Sequence, residues 1–164
     1  MKLGTVPEFA LIADDSSSVT RKYLIGKITI ADFIFTTCGG PCPLMSSKMQ
    51  ELQTLLGKLQ QVQFLSFSVD PDYDTPQILR EYAGKYGAIR NKWRFVTGER
   101  KQIYNLAQNG FHLVTNEDEG GILHSTKFVL IDRDGIIRGY YDSEETESLQ
   151  RLSQDARSLA ELNP

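Results

Sequence analysis

The sequence predicts an α/β fold in which helices cover one mixed sheet. Three observations carry this reading. Two apolar runs rich in β-branched and aromatic residues, 28–35 and 62–69, have the composition of central strands buried on both faces. Each run is followed by apolar residues at helical spacing. Near the end of the chain, runs 127–131 and 136–141 flank Asp134-Gly135, a strong hairpin turn signal.

Taken in order, residues 9–13 read as a short strand, followed by the turn-rich Asp14-Asp15-Ser16-Ser17-Ser18. The strand over 28–35 is entered through Gly26-Lys27 and runs into Thr36-Thr37-Cys38-Gly39-Gly40-Pro41-Cys42-Pro43. Met45, Met49, Leu52, Leu56 and Leu59 then place a helix over 43–59. The second strand, 62–69, ends in Asp70-Pro71-Asp72-Tyr73-Asp74-Thr75-Pro76, where Thr75 is an N-cap and Pro76 the first helical residue. Ile78, Leu79, Tyr82, Ala83 and Tyr86 make the inner face of that helix, which Gly87 ends. A short strand over 93–96 and a helix over 99–108 follow, closed by Asn109-Gly110. An acidic, glycine-containing loop leads to the hairpin, and a final amphipathic helix covers 144–162. No internal repeat or linker interrupts the chain, so residues 1–164 are expected to form one domain. The order is that of a thioredoxin-like fold with an N-terminal β extension and an insertion between its two halves.

With 164 residues and 40% apolar content, the chain can build an ordinary core, which excludes disorder. Its net charge is −3, with Lys and Arg scattered, so the basic stripe of a nucleic-acid groove is missing. No apolar run is long enough to span a bilayer. Met1-Lys2-Leu3-Gly4 lacks the apolar segment of a signal peptide, and composition leaves both a cytosolic protein and a trimmed exported one open.

Cys38 and Cys42 are the only two cysteines, and four residues apart they would close a loop too small to stabilise the fold much. Chemistry is the better expectation. They sit where a strand gives way to a helix, and backbone N–H groups at a helix start favour a thiolate. The thiolate is both the nucleophile and the metal ligand. The gap is one residue longer than the Cys-x-x-Cys of thioredoxin-like redox sites. On a regular helix, Cβ atoms four residues apart lie about 5–6 Å from each other, too far for a disulfide. Two thiolates sharing one metal sit roughly 4 Å apart. Gly39-Gly40 loosens the turn, so metal binding and oxidation are both open, as is a pair of inert buried thiols. A peroxidase is excluded locally, because neither cysteine has the threonine three residues earlier that peroxiredoxins carry.

A metal site needs a third ligand, and the chain has only two histidines. His112 alternates with apolar neighbours in Phe111-His112-Leu113-Val114. His124, in Gly120-Gly121-Ile122-Leu123-His124-Ser125-Thr126, precedes the hairpin, and in a thioredoxin-like layout that segment lies beside the cysteine turn. By itself His124 reads as an ordinary hydrogen-bonded histidine; opposite a dithiol it becomes the candidate third donor. A Cys₂His set suits Cu(I) and accepts Cu(II) or Zn(II), and no further cysteine is available for zinc.

Phe33-Ile34-Phe35-Thr36-Thr37-Cys38-Gly39-Gly40-Pro41-Cys42-Pro43 resembles the signature of the Sco/SenC family, an apolar strand ending in Thr-x-Cys-x-x-x-Cys-Pro. Ser68-Val69-Asp70-Pro71-Asp72-Tyr73-Asp74-Thr75 is similar to the family's Val-Asp-Pro-x-x-Asp-Thr segment. His124, ahead of Phe128-Val129-Leu130-Ile131-Asp132-Arg133-Asp134-Gly135, matches the family's metal histidine. The resemblance covers nearly the whole chain. It implies a copper metallochaperone outside the cytoplasm, periplasmic and membrane-tethered through an anchor beyond this sequence. Copper would be held by Cys38, Cys42 and His124. The implied task is assembly of the binuclear copper centre of cytochrome c oxidase, with subunit II or another copper acceptor as partner. Gly39-Gly40-Pro41 departs from the Pro-Asp-x often found between the family's cysteines.

Two alternatives remain open on the same residues. One is a thiol–disulfide oxidoreductase that reduces a copper acceptor's cysteines through Cys38 and Cys42, with its own thiol reductant partner. The other is a redox or copper sensor. Asp70 and Asp74 make a turn and cap a helix, and either has the reach to orient His124. Asp32 is an acid within a strongly apolar strand, either facing solvent at an edge or accepting a thiol proton in the core.

Overall fold

The computed structural model describes residues 2–113, 115–117 and 122–162. The N-terminal part forms β1 (Gly4–Thr5), β2 (Ala10–Ala13) and β3 (Ser18–Thr20). Next come β4 (Ile28–Ile34), α1 (Cys42–Leu56), β5 (Val62–Ser68), α2 (Pro76–Lys85) and β6 (Trp93–Thr97). Helix α3 (Arg100–Asn105) runs on into a π turn, Leu106–Gly110. The chain closes with β7 (Asn116–Glu117), β8 (Leu123–His124), β9 (Lys127–Ile131), β10 (Ile136–Asp142) and α4 (Thr146–Glu161).

All seven residues of β4 and all seven of β5 are buried, as continuous apolar strands covered on both faces must be. They lie at the centre of an eight-stranded sheet ordered β1-β10-β9-β4-β5-β6-β2-β3. β4, β5 and β6 are parallel, and the β9–β10 hairpin joins β4 antiparallel. The extension supplies both edges: β1 pairs with β10, and β2 joins β6 with β3 outside it. The segment between β5 and the hairpin inserts the third parallel strand, β6. The thioredoxin-like α/β layout expected from the sequence is therefore present, extension and insertion included.

One face of the sheet carries an aromatic cluster. Phe33 stacks on Phe67 at 4.7 Å, and Phe111 meets both rings edge-on at 5.4 and 5.7 Å. Phe111 is delivered by the π turn, where Gly110 packs so closely on Pro7 that a Cβ would stand 3.0 Å from its ring. The opposite face holds Trp93 stacked on Phe95, with Tyr82 of α2 edge-on to Phe95. Ser46 of α1 bonds Tyr82 of α2 at 2.8 Å, and Gln53 spans to the Gly87 carbonyl and the Ile89 amide. α1 and α2 thus cover that face as a tied pair.

Where the elements differ from the sequence reading, the causes are local. The Asp14–Ser18 turn closes a hairpin, because Ser16 takes a left-handed conformation (φ 68°) and Asp15 accepts from Ser17 N–H and Oγ. α1 begins at Cys42 rather than Pro43 and stops at Leu56, before Gly57. The helix expected over 99–108 is α through Asn105 only, the π turn taking its second half. Thr75 caps α2 as expected, accepting from the Ile78 amide at 3.3 Å. Among the described residues, no helix is long and apolar enough to cross a membrane.

Candidate metal centre

The C-terminal ends of parallel strands are where open α/β sheets place their sites, and the cysteine turn leaves β4 at that end. The Phe35 carbonyl accepts the Cys38 amide at 3.2 Å, which curls the chain as soon as the strand is over. Gly39 and Gly40 are exposed, and Pro41 leads into α1 with its carbonyl accepting from Met45 at 3.0 Å. Cys42 is the first residue of α1. Both cysteines are unbridged, Cys38 8% and Cys42 3% exposed.

That depth overturns one expectation. A helix start favours a thiolate, yet burial pushes the Cys42 thiol well above its ordinary value. Hydrogen bonding and charge from the adjacent Cys38, and charge from Asp32, push it the same way; the Phe35 backbone opposes them. Burial thus favours the neutral thiol at Cys42, beside Cys38.

The turn is anchored from the neighbouring strand. Asp74 is fully buried and accepts from the Thr36 amide (3.1 Å), Thr36 Oγ1 (2.5 Å) and Ser68 Oγ (2.7 Å). Its backbone amide donates to the Asp70 carbonyl at 2.9 Å, so the loop after β5 is stapled to the loop after β4. Asp74 therefore spends its carboxylate on Thr36 and Ser68, two residues ahead of the first cysteine and at the end of β5. Asp70 faces Arg100 at 3.7 Å, and the same guanidinium meets Asp72 at 2.7 Å.

Asp32 does not face solvent at an edge. It sits mid-strand in β4, paired with Ser66 of β5, and is completely buried. Ser66 Oγ donates to Asp32 Oδ1 at 2.5 Å, and Trp93 Nε1 donates to Ser66 Oγ at 3.1 Å. Asp32 Oδ2 has no hydrogen-bond partner among the described residues. Burial raises its carboxyl to about 7, against the Ser66 hydrogen bond, which lowers it.

His124 closes β8, a two-residue strand paired with β7, and is partly buried. Its imidazole meets the Phe35 ring edge-to-face, 5.1 Å between centroids at 71°. The fold thus brings His124 beside the strand end from which the cysteine turn departs, as the sequence led us to expect. The acidic loop over 118–121 that precedes it lies outside the described residues. His112 is exposed, in a left-handed conformation (φ 55°) and close to Gly4. Among the described residues, no three His, Cys, Asp or Glu side chains converge as a ready-made metal cage. The donor chemistry nonetheless fits a soft metal: two adjacent sulfurs and an imidazole one aromatic ring away. Phe35 is the part of this arrangement that sequence reasoning missed. Its signal was a bulky aromatic residue immediately before the turn.

Comparison with known proteins agrees with this architecture. The chain is 32% identical over 161 residues to the SCO1 protein homolog of Bacillus subtilis, covering 96% of this chain and 83% of that protein. Its structure superposes on a SCO1/SenC family lipoprotein from Bacillus anthracis with a TM-score of 0.88, at 32% identity and 96% coverage of both chains. BsSco, a member of the Sco family of cytochrome c oxidase assembly proteins in which a disulfide switch was identified, gives 0.85 at 32% identity, covering 98% of this chain and 95% of that one. Arabidopsis thaliana ScoI with copper bound gives 0.79 at 25% identity, covering 94% and 99%. The sequence profile described as SCO1/SenC matches residues 2–161, and this chain belongs to the SCO1/SenC family.

Proposed function

We propose that this protein binds copper through Cys38, Cys42 and His124 and carries it to the binuclear copper centre of cytochrome c oxidase during assembly, with subunit II as acceptor. The observation that carries the reading is the pair of adjacent buried thiols in the turn that leads from β4 into α1, with the His124 imidazole in ring contact with Phe35. Two sulfurs and an imidazole stabilise Cu(I) and still accept Cu(II), which suits a carrier that must release its cargo. The copper-bound Arabidopsis relative and the oxidase-assembly role given for BsSco support it. Tethering outside the cytoplasm is supported by the lipoprotein relative. Titration of the reduced protein with Cu(II), followed by absorption and EPR, tests the donor set. One copper per chain is expected, with affinity collapsing in Cys38→Ser, Cys42→Ser and His124→Ala. An unchanged Cu(II) spectrum and affinity in His124→Ala would exclude the three-donor site.

A second reading is favoured by the adjacency of the thiols and by the disulfide switch of BsSco. The metal-free dithiol would reduce an acceptor's disulfide, Cys38 and Cys42 joining as a disulfide while two electrons and two protons pass to the acceptor. A thiol reductant would then restore the pair. Reduction of an oxidised two-cysteine acceptor peptide by metal-free protein, retained in His124→Ala and lost in Cys38→Ser, is the expected result. No thiol appearing on the peptide would exclude this reading.

A further inference from the structure

We propose that Asp74 is the positioning residue that fixes the separation of Cys38 and Cys42. The inference rests on the reading of the two thiols as a working pair, whether they carry copper or electrons. The direct link between them is Gly39-Gly40-Pro41, exposed at both glycines. Two consecutive glycines leave the backbone torsions open and hold no fixed distance by themselves. The two thiols are nonetheless hydrogen-bonded neighbours, so the fold must hold them by another path. Thr36, two residues before Cys38, gives Asp74 both its amide (3.1 Å) and its hydroxyl (2.5 Å), and Ser68 at the end of β5 adds a third bond (2.7 Å). Asp74 is fully buried and adjoins Thr75, the N-cap of α2. α2 is tied in turn to α1: the Tyr82 and Ser46 hydroxyls lie 2.8 Å apart, and Gln53 bonds the Gly87 carbonyl and the Ile89 amide just beyond α2. Ser46 stands one turn along α1 from Cys42, on the same buried face. A path of hydrogen bonds and packed helices thus runs from Cys38 through Thr36, Asp74, α2 and Ser46 to Cys42. Asp74 is its joint, where a strand end meets a helix start. Thiols held in place in this way chelate a metal, or close to a disulfide, at high effective concentration.

The test equilibrates metal-free wild type, Asp74→Asn, Asp74→Ala, Thr36→Val and Arg133→Ala with reduced and oxidised glutathione. Cys38 and Cys42 pass two electrons and two protons to oxidised glutathione, which leaves as two reduced molecules while an S–S bond joins the pair. Thiol counting by mass spectrometry gives the equilibrium constant, chelator competition the Cu(I) affinity, and urea unfolding the folded fraction. In Asp74→Ala both constants are expected to fall about tenfold, the lower end of what groups supporting a metal site are worth. Asp74→Asn should stay within about twofold of wild type, because its carbonyl accepts from the Thr36 amide and Ser68 while its amide group donates to Thr36 Oγ1. Thr36→Val loses one bond only and should fall about threefold; it stands in should Asp74→Ala not fold. Arg133→Ala, destabilised at the end of α4, should match wild type. Wild-type constants in folded Asp74→Ala, or in Thr36→Val where it stands in, overturn the proposal. An equal fall in Asp74→Asn assigns the effect to charge, and an equal fall in Arg133→Ala assigns it to global stability; either overturns the proposal as well. A wild type that forms no Cys38–Cys42 disulfide and binds Cu(I) no better than Cys38→Ser removes the working-pair reading itself, and this inference with it.

Discussion

Replacing Asp32 by Asn should remove a pH dependence of stability that the wild type carries. Burial holds the Asp32 carboxyl at about 7, against 3.8 for the same group in solvent. Between those pH values the native state keeps a proton that the unfolded chain releases. The stability this gives is fully present below 3.8 and is lost as pH rises through 7. Inside the window each pH unit is worth about 1.4 kcal/mol, so raising the pH from 5 to 8 costs the wild type about 2–3 kcal/mol through this one group. Asn has the same shape and still accepts from Ser66 Oγ, but it cannot ionise. It also places an amide where Oδ2 now lacks a partner, a roughly constant penalty of about 1–3 kcal/mol. Urea unfolding of both proteins at half-unit steps from pH 5 to 8 isolates the effect. The difference in unfolding free energy should tilt against the wild type as pH rises, by about 2–3 kcal/mol in all. Two curves that stay parallel across the range would show that Asp32 is already ionised in the fold, and the burial argument would fail.

Three further outcomes follow from contacts described above. Asp74→Ala leaves the Thr36 amide, Thr36 Oγ1 and Ser68 Oγ without their acceptor, and should cost about 2–4 kcal/mol in urea unfolding; a loss below about 1 kcal/mol would mean that water replaces the carboxylate freely. In Cys38→Ser, the remaining Cys42 thiol, 3% exposed and held protonated by burial, should react with iodoacetamide at pH 8 at least about tenfold more slowly than free cysteine; mass spectrometry of timed aliquots reads this, and labelling at the free-cysteine rate would contradict the burial. Arg133 donates to the Leu159, Ala160 and Leu162 carbonyls at the end of α4, so Arg133→Ala should lower stability by about 1–2 kcal/mol. Hydrogen exchange should speed up first in the last turn of that helix, and uniform exchange along α4 would argue against a capping role.

The parts of the fold legible in the sequence are those whose burial is written into consecutive residues. β4 and β5 are apolar from end to end because both faces are covered, and Thr75-Pro76 marks a helix start by local chemistry alone. β1, β3, β7 and β8 are two or three residues long, too short to show any period, and form because a partner strand is already in place. The cysteine pair was readable from its place between strand and helix. Its protonation was not, since a helix start and a buried floor act oppositely on a thiol and sequence does not give depth. Asp32 could be resolved only by the strand order, which puts β4 in the interior of the sheet. Asp74 looked like a turn residue, and its larger task joins it to Thr36, far away along the chain.

The two ends of the sheet bear on how this protein meets other chains. β1 and β3, the outermost strands, have two and three residues, so neither offers a long row of open backbone groups to another strand. A sheet guarded in this way resists growing sideways into a second molecule. At the rim above the parallel strands, by contrast, exposed Gly39 and Gly40 leave the backbone beside Cys38 uncovered by side chains. The same short strands that complete the sheet at its flanks therefore also protect it from edge-to-edge pairing.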